Sequence, residues 1–150
     1  MRIRSITIFA DSGWPPDENL LRQIGAFGVA ARRTCEAAGY AVQTTRLATP
    51  PFPRLVPSLD KETVIALAQE LEARLEVLGF DYLSLGPALP DCPQSYTVIP
   101  AVLAATEKVF LSGIIATAES GISLGAIGAC AEIIATLATL KEDGFSNLYF

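Results

Sequence analysis

Residues 60–87 read DKETVIALAQELEARLEVLGFDYLSLGP, and this stretch decides the fold class. Val64, Leu67, Leu71, Leu75 and Leu78 recur at steps of three and four, which is one apolar stripe on a helix. Ser58 or Asp60 is placed to cap its start and Gly79 to stop its end. Glu70 and Arg74 stand four apart in the order that favours an ion pair along a helix. Beyond Gly79 the pattern changes at once. Phe80 to Leu85 is short, aliphatic and aromatic, and closes on Gly86-Pro87, which reads as a strand and a turn. A helix handing over directly to a strand is half of a βαβ unit.

The same alternation extends towards the amino terminus. Ile3 to Phe9 reads as a strand, and Asp11-Ser12-Gly13-Trp14-Pro15-Pro16 as a breaker cluster, with Trp14 suited to a hydrophobic staple. A helix follows, its apolar face running Leu20, Ile24, Phe27, Ala31, Cys35 and Ala38, with Asp17 as cap and Gly39 as stop. Tyr40 to Leu47 predicts a second strand. The four prolines between Ala48 and Pro57 predict a rigid surface connection without regular structure.

Towards the carboxyl end, three prolines hold Gly86 to Pro93 as a loop, and Tyr96 to Glu107 predicts a helix with Pro100 in its first turn. Val109 to Ala116 predicts a fourth strand, apolar on both faces and hence central. Ser123 to Leu140 predicts a helix apolar nearly all round, covered on both sides, whereas the more polar first two helices are expected outside. Asn147 to Phe150 predicts the beginning of a fifth strand. Strand and helix alternating throughout make an α/β fold with a mainly parallel sheet.

Composition bounds the rest. A chain of 150 residues is one α/β domain, or a piece of one, and buries roughly 70% of its unfolded surface without staples. Charged residues make up 18% against the usual quarter or so, and mean hydropathy is +0.39, so some apolar surface is expected to meet a second polypeptide or another copy. Eleven Lys and Arg against sixteen Asp and Glu leave no basic face for nucleic acid. The absence of histidine removes His-based metal sites and Ser-His or Cys-His nucleophile pairs. Cys35, Cys92 and Cys130 contain no CxxC pair and predict neither a disulfide framework nor a zinc site. No apolar run is long enough for a membrane span, and a cytoplasmic location is the expectation.

In open α/β sheets ligands bind beyond the carboxyl ends of the strands, so the loops leaving strands are the ones to inspect. They carry Asp11, the proline segment after Arg46, Ser84 with Gly86, and the run Thr117-Ala118-Glu119-Ser120-Gly121. Asp11 and Glu119 are candidate general-base or polar contacts and Arg46 a candidate anion anchor. Ser84, Gly86 and Ser120 are candidate ligand contacts, the set suiting a small polar ligand. The same residue types are also ordinary turn chemistry. Gly121-Ile122-Ser123-Leu124-Gly125 matches the nucleophile-elbow pattern, yet the preceding strand ends too early and no histidine is present, so Ser123 reads as a helix cap. Gly125 and Gly128 lack a dinucleotide or P-loop pattern and read as close packing of helix on sheet. Cys92, beside Asp91, is a thiol blunted by its neighbour, while Cys35 and Cys130 read as core. Asp11, Asp91 and Glu119 have no metal-ligand spacing, and no cofactor follows from the sequence.

Several stretches resemble a known family. They are Arg2-Ile3-Arg4-Ser5-Ile6-Thr7, Thr45-Arg46-Leu47-Ala48-Thr49-Pro50-Pro51-Phe52-Pro53, Phe80 through Ala88, Ala105-Thr106-Glu107, Gly121-Ile122-Ser123, and Asp143-Gly144-Phe145-Ser146-Asn147-Leu148. Together they are similar to the amino-terminal part of the domain of unknown function 711 family. The resemblance implies an α/β barrel similar in fold to the glycyl-radical enzymes, without a known radical-glycine motif, of which this chain is the first third or so. It implies completion by further chain, an unassigned activity, and no catalytic residue to carry over. Two functions follow as expectations: part of a cytoplasmic small-molecule enzyme, or a non-catalytic binding or assembly domain acting through its apolar interface.

Overall fold

A computed structural model describes residues 1–140 and 144–150. Four strands form one parallel sheet in the order of the chain: β1 (Arg2–Phe9), β2 (Ala41–Pro51), β3 (Tyr82–Gly86) and β4 (Val109–Phe110). The crossovers are α1 (Glu18–Ala37), the pair α2 (Lys61–Glu72) and α3 (Leu75–Leu78), and α4 (Gln94–Ala104). After β4 come a two-stranded antiparallel hairpin, β5 (Ala116–Thr117) with β6 (Gly121–Ile122), then α5 (Leu124–Leu137) and a 3-10 segment, Phe145–Tyr149. The α/β class and parallel sheet expected from the sequence are present.

Strands added in chain order by right-handed crossovers put their helices on one face of the sheet. On that face, register aligns Ile6 with Thr45, Ile8 with Leu47, Leu47 with Leu83, and Leu83 with Val109. Leu47, Leu83, Leu85 and Val109 are buried there in one core with Leu21, Val64, Leu67, Leu71, Ile99 and Val102 from the helices. The opposite face carries Thr7, Phe9, Thr44, Arg46, Ala48, Tyr82, Ser84 and Phe110. Phe9 is 81% exposed on it.

The caps fall where the sequence puts them. Asp17 accepts the N–H groups of Asn19 and Leu20, and Asp60 accepts that of Thr63. Gly79 ends the second helical stretch at φ +77, a left-handed conformation that a side chain would strain. That stretch is interrupted, however. Arg74 donates its backbone N–H to the Leu71 carbonyl, and its guanidinium takes the Glu70 carbonyl that a continuous helix would have used. The same guanidinium pairs with Glu70 and Glu18, which raise its pKa.

Other expectations need correction. β2 does not stop at Leu47 but runs through Pro50 to Pro51, with a register shift between Ala48 and Pro51. Proline lacks a ladder donor, and at the register shift the Gly86 N–H is satisfied by the Thr49 hydroxyl, which accepts it at 3.0 Å. Pro100 stands in the interior of α4, not in its first turn, because the helix begins at Gln94. Burial of Tyr96, Val98, Ile99 and Val102 outweighs the lost backbone bond. β4 is two residues long and forms an edge of the four-stranded sheet, so it is not central. Beyond it the chain is held by an isolated bridge, in which Ala88 donates to the Ser112 carbonyl and accepts the Ile114 N–H around Gly113, and by the Tyr96 hydroxyl, which donates to the Ile114 carbonyl.

α5 is not covered on both sides. Ala126, Ile133 and Leu137 are buried against the core, but Leu124 is 80% exposed and Ile134 50%. Gly125 and Gly128 have open space around them and therefore do not serve close packing. Asn147 to Phe150 is not a strand. Its neighbourhood is a 3-10 turn that gives the Leu111 N–H one acceptor, the Tyr149 carbonyl, at 2.8 Å. Asp143, the first residue of the closing motif, lies outside the described residues. Among the described residues, no helix is long and apolar enough to cross a membrane.

Candidate functional site

Arg46 lies in the middle of β2 and points to the sheet face opposite the helices. It therefore stands inside the strand and not among the strand-end loops where the sequence predicts a ligand site. Its guanidinium carbon sits 5.7 Å from the Tyr82 ring centre and 5.5 Å from that of Phe110, both within cation–π range. The two rings meet edge to face at 5.3 Å, and Tyr149 packs on Phe110 at 4.9 Å. Nε of Arg46 is enclosed by this stack without a hydrogen-bond partner. No ion pair to Arg46 forms among the described residues. The rings thus fix the cation, and the terminal nitrogens of the partly exposed side chain are what it can offer.

Ser84 shares that face, opposite Ala48 on one side and Phe110 on the other. Its hydroxyl has no partner among the described residues, so Arg46 and Ser84 are brought onto one surface with donors free. Gly86 has a different role. A Cβ there would stand 2.0 Å from the Pro50 carbonyl oxygen, so the glycine is required by the close approach of the β2 and β3 backbones.

Asp11 follows β1 in an exposed turn and accepts the Gly13 N–H at 3.0 Å. Glu119 and Ser120 form the tip of the β5–β6 hairpin. Ser120 donates its N–H to the Thr117 hydroxyl at 3.0 Å, and the two hydroxyls lie 2.8 Å apart. Asp11 therefore leaves one edge of the sheet, and the Glu119 hairpin follows the other edge. The structure brings Arg46 together with Ser84, but does not join Asp11 to Glu119. Ser123 caps α5, accepting the Ala126 N–H at 3.2 Å, which accounts for the elbow-like motif.

The three cysteines are free thiols. Cys130 packs against the core beside Gly113, and burial raises its pKa. The Cys92 carbonyl accepts the Ser95 hydroxyl at 2.6 Å, and that hydroxyl in turn accepts the Leu89 N–H, so the loop is pinned from inside. Among the described residues no group of three or more His, Cys, Asp or Glu side chains gathers to hold a metal. Sequence reasoning missed Tyr82 and Phe110 as partners of Arg46. The alternation along Thr44, Arg46 and Ala48 was the available signal, since it places the cation on a sheet face and not in a loop.

Four parallel strands in chain order, joined by helices, make this an α/β protein. The chain belongs to the family described as "Uncharacterised ACR (DUF711)", whose pattern matches residues 1–150. A UPF0210 protein of Methanococcoides burtonii is 26% identical over 137 residues, 85% of this chain and 30% of that relative. A UPF0210 protein of Clostridium botulinum is 29% identical over 111 residues, 70% of this chain and 25% of the relative. The chain spans less than a third of the length of these curated relatives.

Proposed function

We propose that this chain is the amino-terminal part of a cytoplasmic small-molecule enzyme, and that its helix-free sheet face forms one wall of a polar ligand site. Arg46 is the anion anchor and Ser84 an adjacent contact. Asp11, Glu119 and Ser120 reach the site from the strand-end loops once the structure is completed by a second polypeptide or further copies. Sequential strands with helices on one side are the arrangement of α/β barrels, which supports completion into a larger barrel. The observation that carries the reading is the Arg46 guanidinium, held between two rings and lacking a carboxylate partner among the described residues. An arginine so fixed is suited to paired hydrogen bonds with a carboxylate or phosphate.

The test is calorimetric titration of the assembled protein with inorganic phosphate and with short dicarboxylates. Arg46→Ala is expected to weaken the best of these by about 10-fold or more, the effect of losing a charged hydrogen bond. Unchanged affinity in Arg46→Ala, Asp11→Ala and Glu119→Ala alike overturns the reading.

A second reading, assembly without catalysis, is favoured by the exposed apolar side of α5, where Leu124, Ile127 and Ile134 face outward. Native mass spectrometry distinguishes it. Self-association lost on Ile134→Glu, in a protein that binds none of the anions, supports assembly. A monomer that binds them removes it.

A further inference from the structure

At the amino ends of β3 and β4, three adjoining hollows share Lys108 as a wall. The one between the end of α4 and the 144–149 segment has a volume of about 360 Å³, within the range of small-molecule sites. Tyr82, Leu103, Glu107, Lys108, Ser146 and Tyr149 line it.

Its walls are fixed by contacts that do not use their functional groups. The Tyr82 ring is set by Phe110 and Arg46, and Tyr149 by Phe110 and by its carbonyl bond to the Leu111 N–H. Glu72 accepts the backbone N–H of Glu107 at 2.8 Å and that of Lys108 through the same oxygen, Oε1. This bridge fixes the backbone from which both charged side chains leave. The Glu107 carboxylate, the Lys108 ammonium and both phenol hydroxyls have no partner among the described residues. The cavity therefore presents one free charge of each sign beside apolar rings and Leu103.

The surroundings decide between a simple anion and a zwitterion. Glu72, Glu76 and Asp81 line the neighbouring hollows, and among the described residues Asp81 alone of the three forms an ion pair, with Arg32 at 3.5 Å. A plain anion approaching Lys108 meets this acidic rim and the Glu107 carboxylate, whereas a ligand carrying its own ammonium turns both to advantage. We propose that this cavity binds a small zwitterion of α-amino-acid chemistry. Its carboxylate lies on Lys108, its ammonium on Glu107, and its side chain between Leu103 and the two tyrosine rings.

This site is separate from the Arg46 anion site, with Tyr82 as the shared wall. The experiment is isothermal titration of the full chain with the common α-amino acids, one at a time. At least one with an apolar side chain is expected to bind with a Kd of about 1 mM or tighter. Lys108→Met and Glu107→Gln each weaken it by about 10-fold or more, without lowering thermal stability, because both side chains are exposed. The N-acetylated derivative and the amine lacking the carboxylate both lose binding. Absence of binding by any amino acid at about 10 mM, equal binding by the N-acetylated form, or undiminished binding in both variants overturns the proposal.

Discussion

The two ends of the sheet are built differently. From β1 to β3 each strand is flanked by neighbours on both sides or by a full-length partner, and α2 buries the stripe Val64, Leu67 and Leu71 that its sequence predicts, whereas α1 turns Leu21, Gly25 and Gly28 inward and leaves Phe27, on its expected apolar face, 64% exposed. From β4 onward the strand has two residues, the next pairing is the isolated Ala88–Gly113 bridge, and α5 leaves Leu124, Ile127 and Ile134 exposed. Both regions are apolar in sequence. The difference teaches that hydrophobicity specifies that a surface wants covering, whereas the covering itself depends on what packs against it.

Substitutions can sharpen or break this contrast. The largest effect is expected at the β2–β3 junction, where Gly86→Ala drives a methyl group into the Pro50 backbone. The loss is about 4 kcal/mol or failure to fold, read from denaturant midpoints. Leu67→Ala, in the buried stripe of α2, costs about 3 kcal/mol by cavity formation. Tyr96→Phe removes the one hydroxyl bond to the Ile114 carbonyl that ties α4 to the irregular segment, costing about 1–2 kcal/mol.

A smaller effect is confined to acid. Asp60 is held at a pKa of about 2 by the Ser58 hydroxyl and then by the Thr63 N–H and hydroxyl. A carboxylate depressed in the folded state stabilises it fully above its ordinary value of 3.8, and this is lost as pH falls towards 2. Asp60→Asn should therefore flatten the melting temperature between pH 4 and pH 2, measured by thermal scans at low salt. The smallest effect is expected on the exposed side of α5, where Ile134→Ser changes stability by less than about 0.5 kcal/mol. A large loss there would show that this face is covered in solution and would dissolve the contrast.

Much of the fold was legible because its signals are local. The caps at Asp17, Asp60 and Ser123 and the stop at Gly79 depend on side chains within a few residues of the bonds they make. Strand order and the exposure of α5 were not legible, since both depend on partners distant in the chain. Pro50 and Pro51 misled for a related reason: where the register shifts at Ala48 to Pro51, the Gly86 N–H finds its acceptor in the Thr49 hydroxyl, on the neighbouring strand and distant in the chain. Of the candidate site, the residue types were readable but their meeting was not. Arg46 and Ser84 come together only through the register of β2 on β3, while Gly86 proved to be steric.

The Glu72 carboxylate carries a consequence for motion. An edge strand of two residues would ordinarily open and close freely, and its first amides would exchange with solvent at nearly the rate of an unfolded chain. Here a side chain at the end of α2 clamps the amides of Glu107 and Lys108, 35 and 36 positions away. Their deuterium uptake should then follow the opening of the α2 terminus, not the fraying of the sheet. Glu72→Ala, which removes the acceptor, would uncouple the two and let the edge breathe on its own.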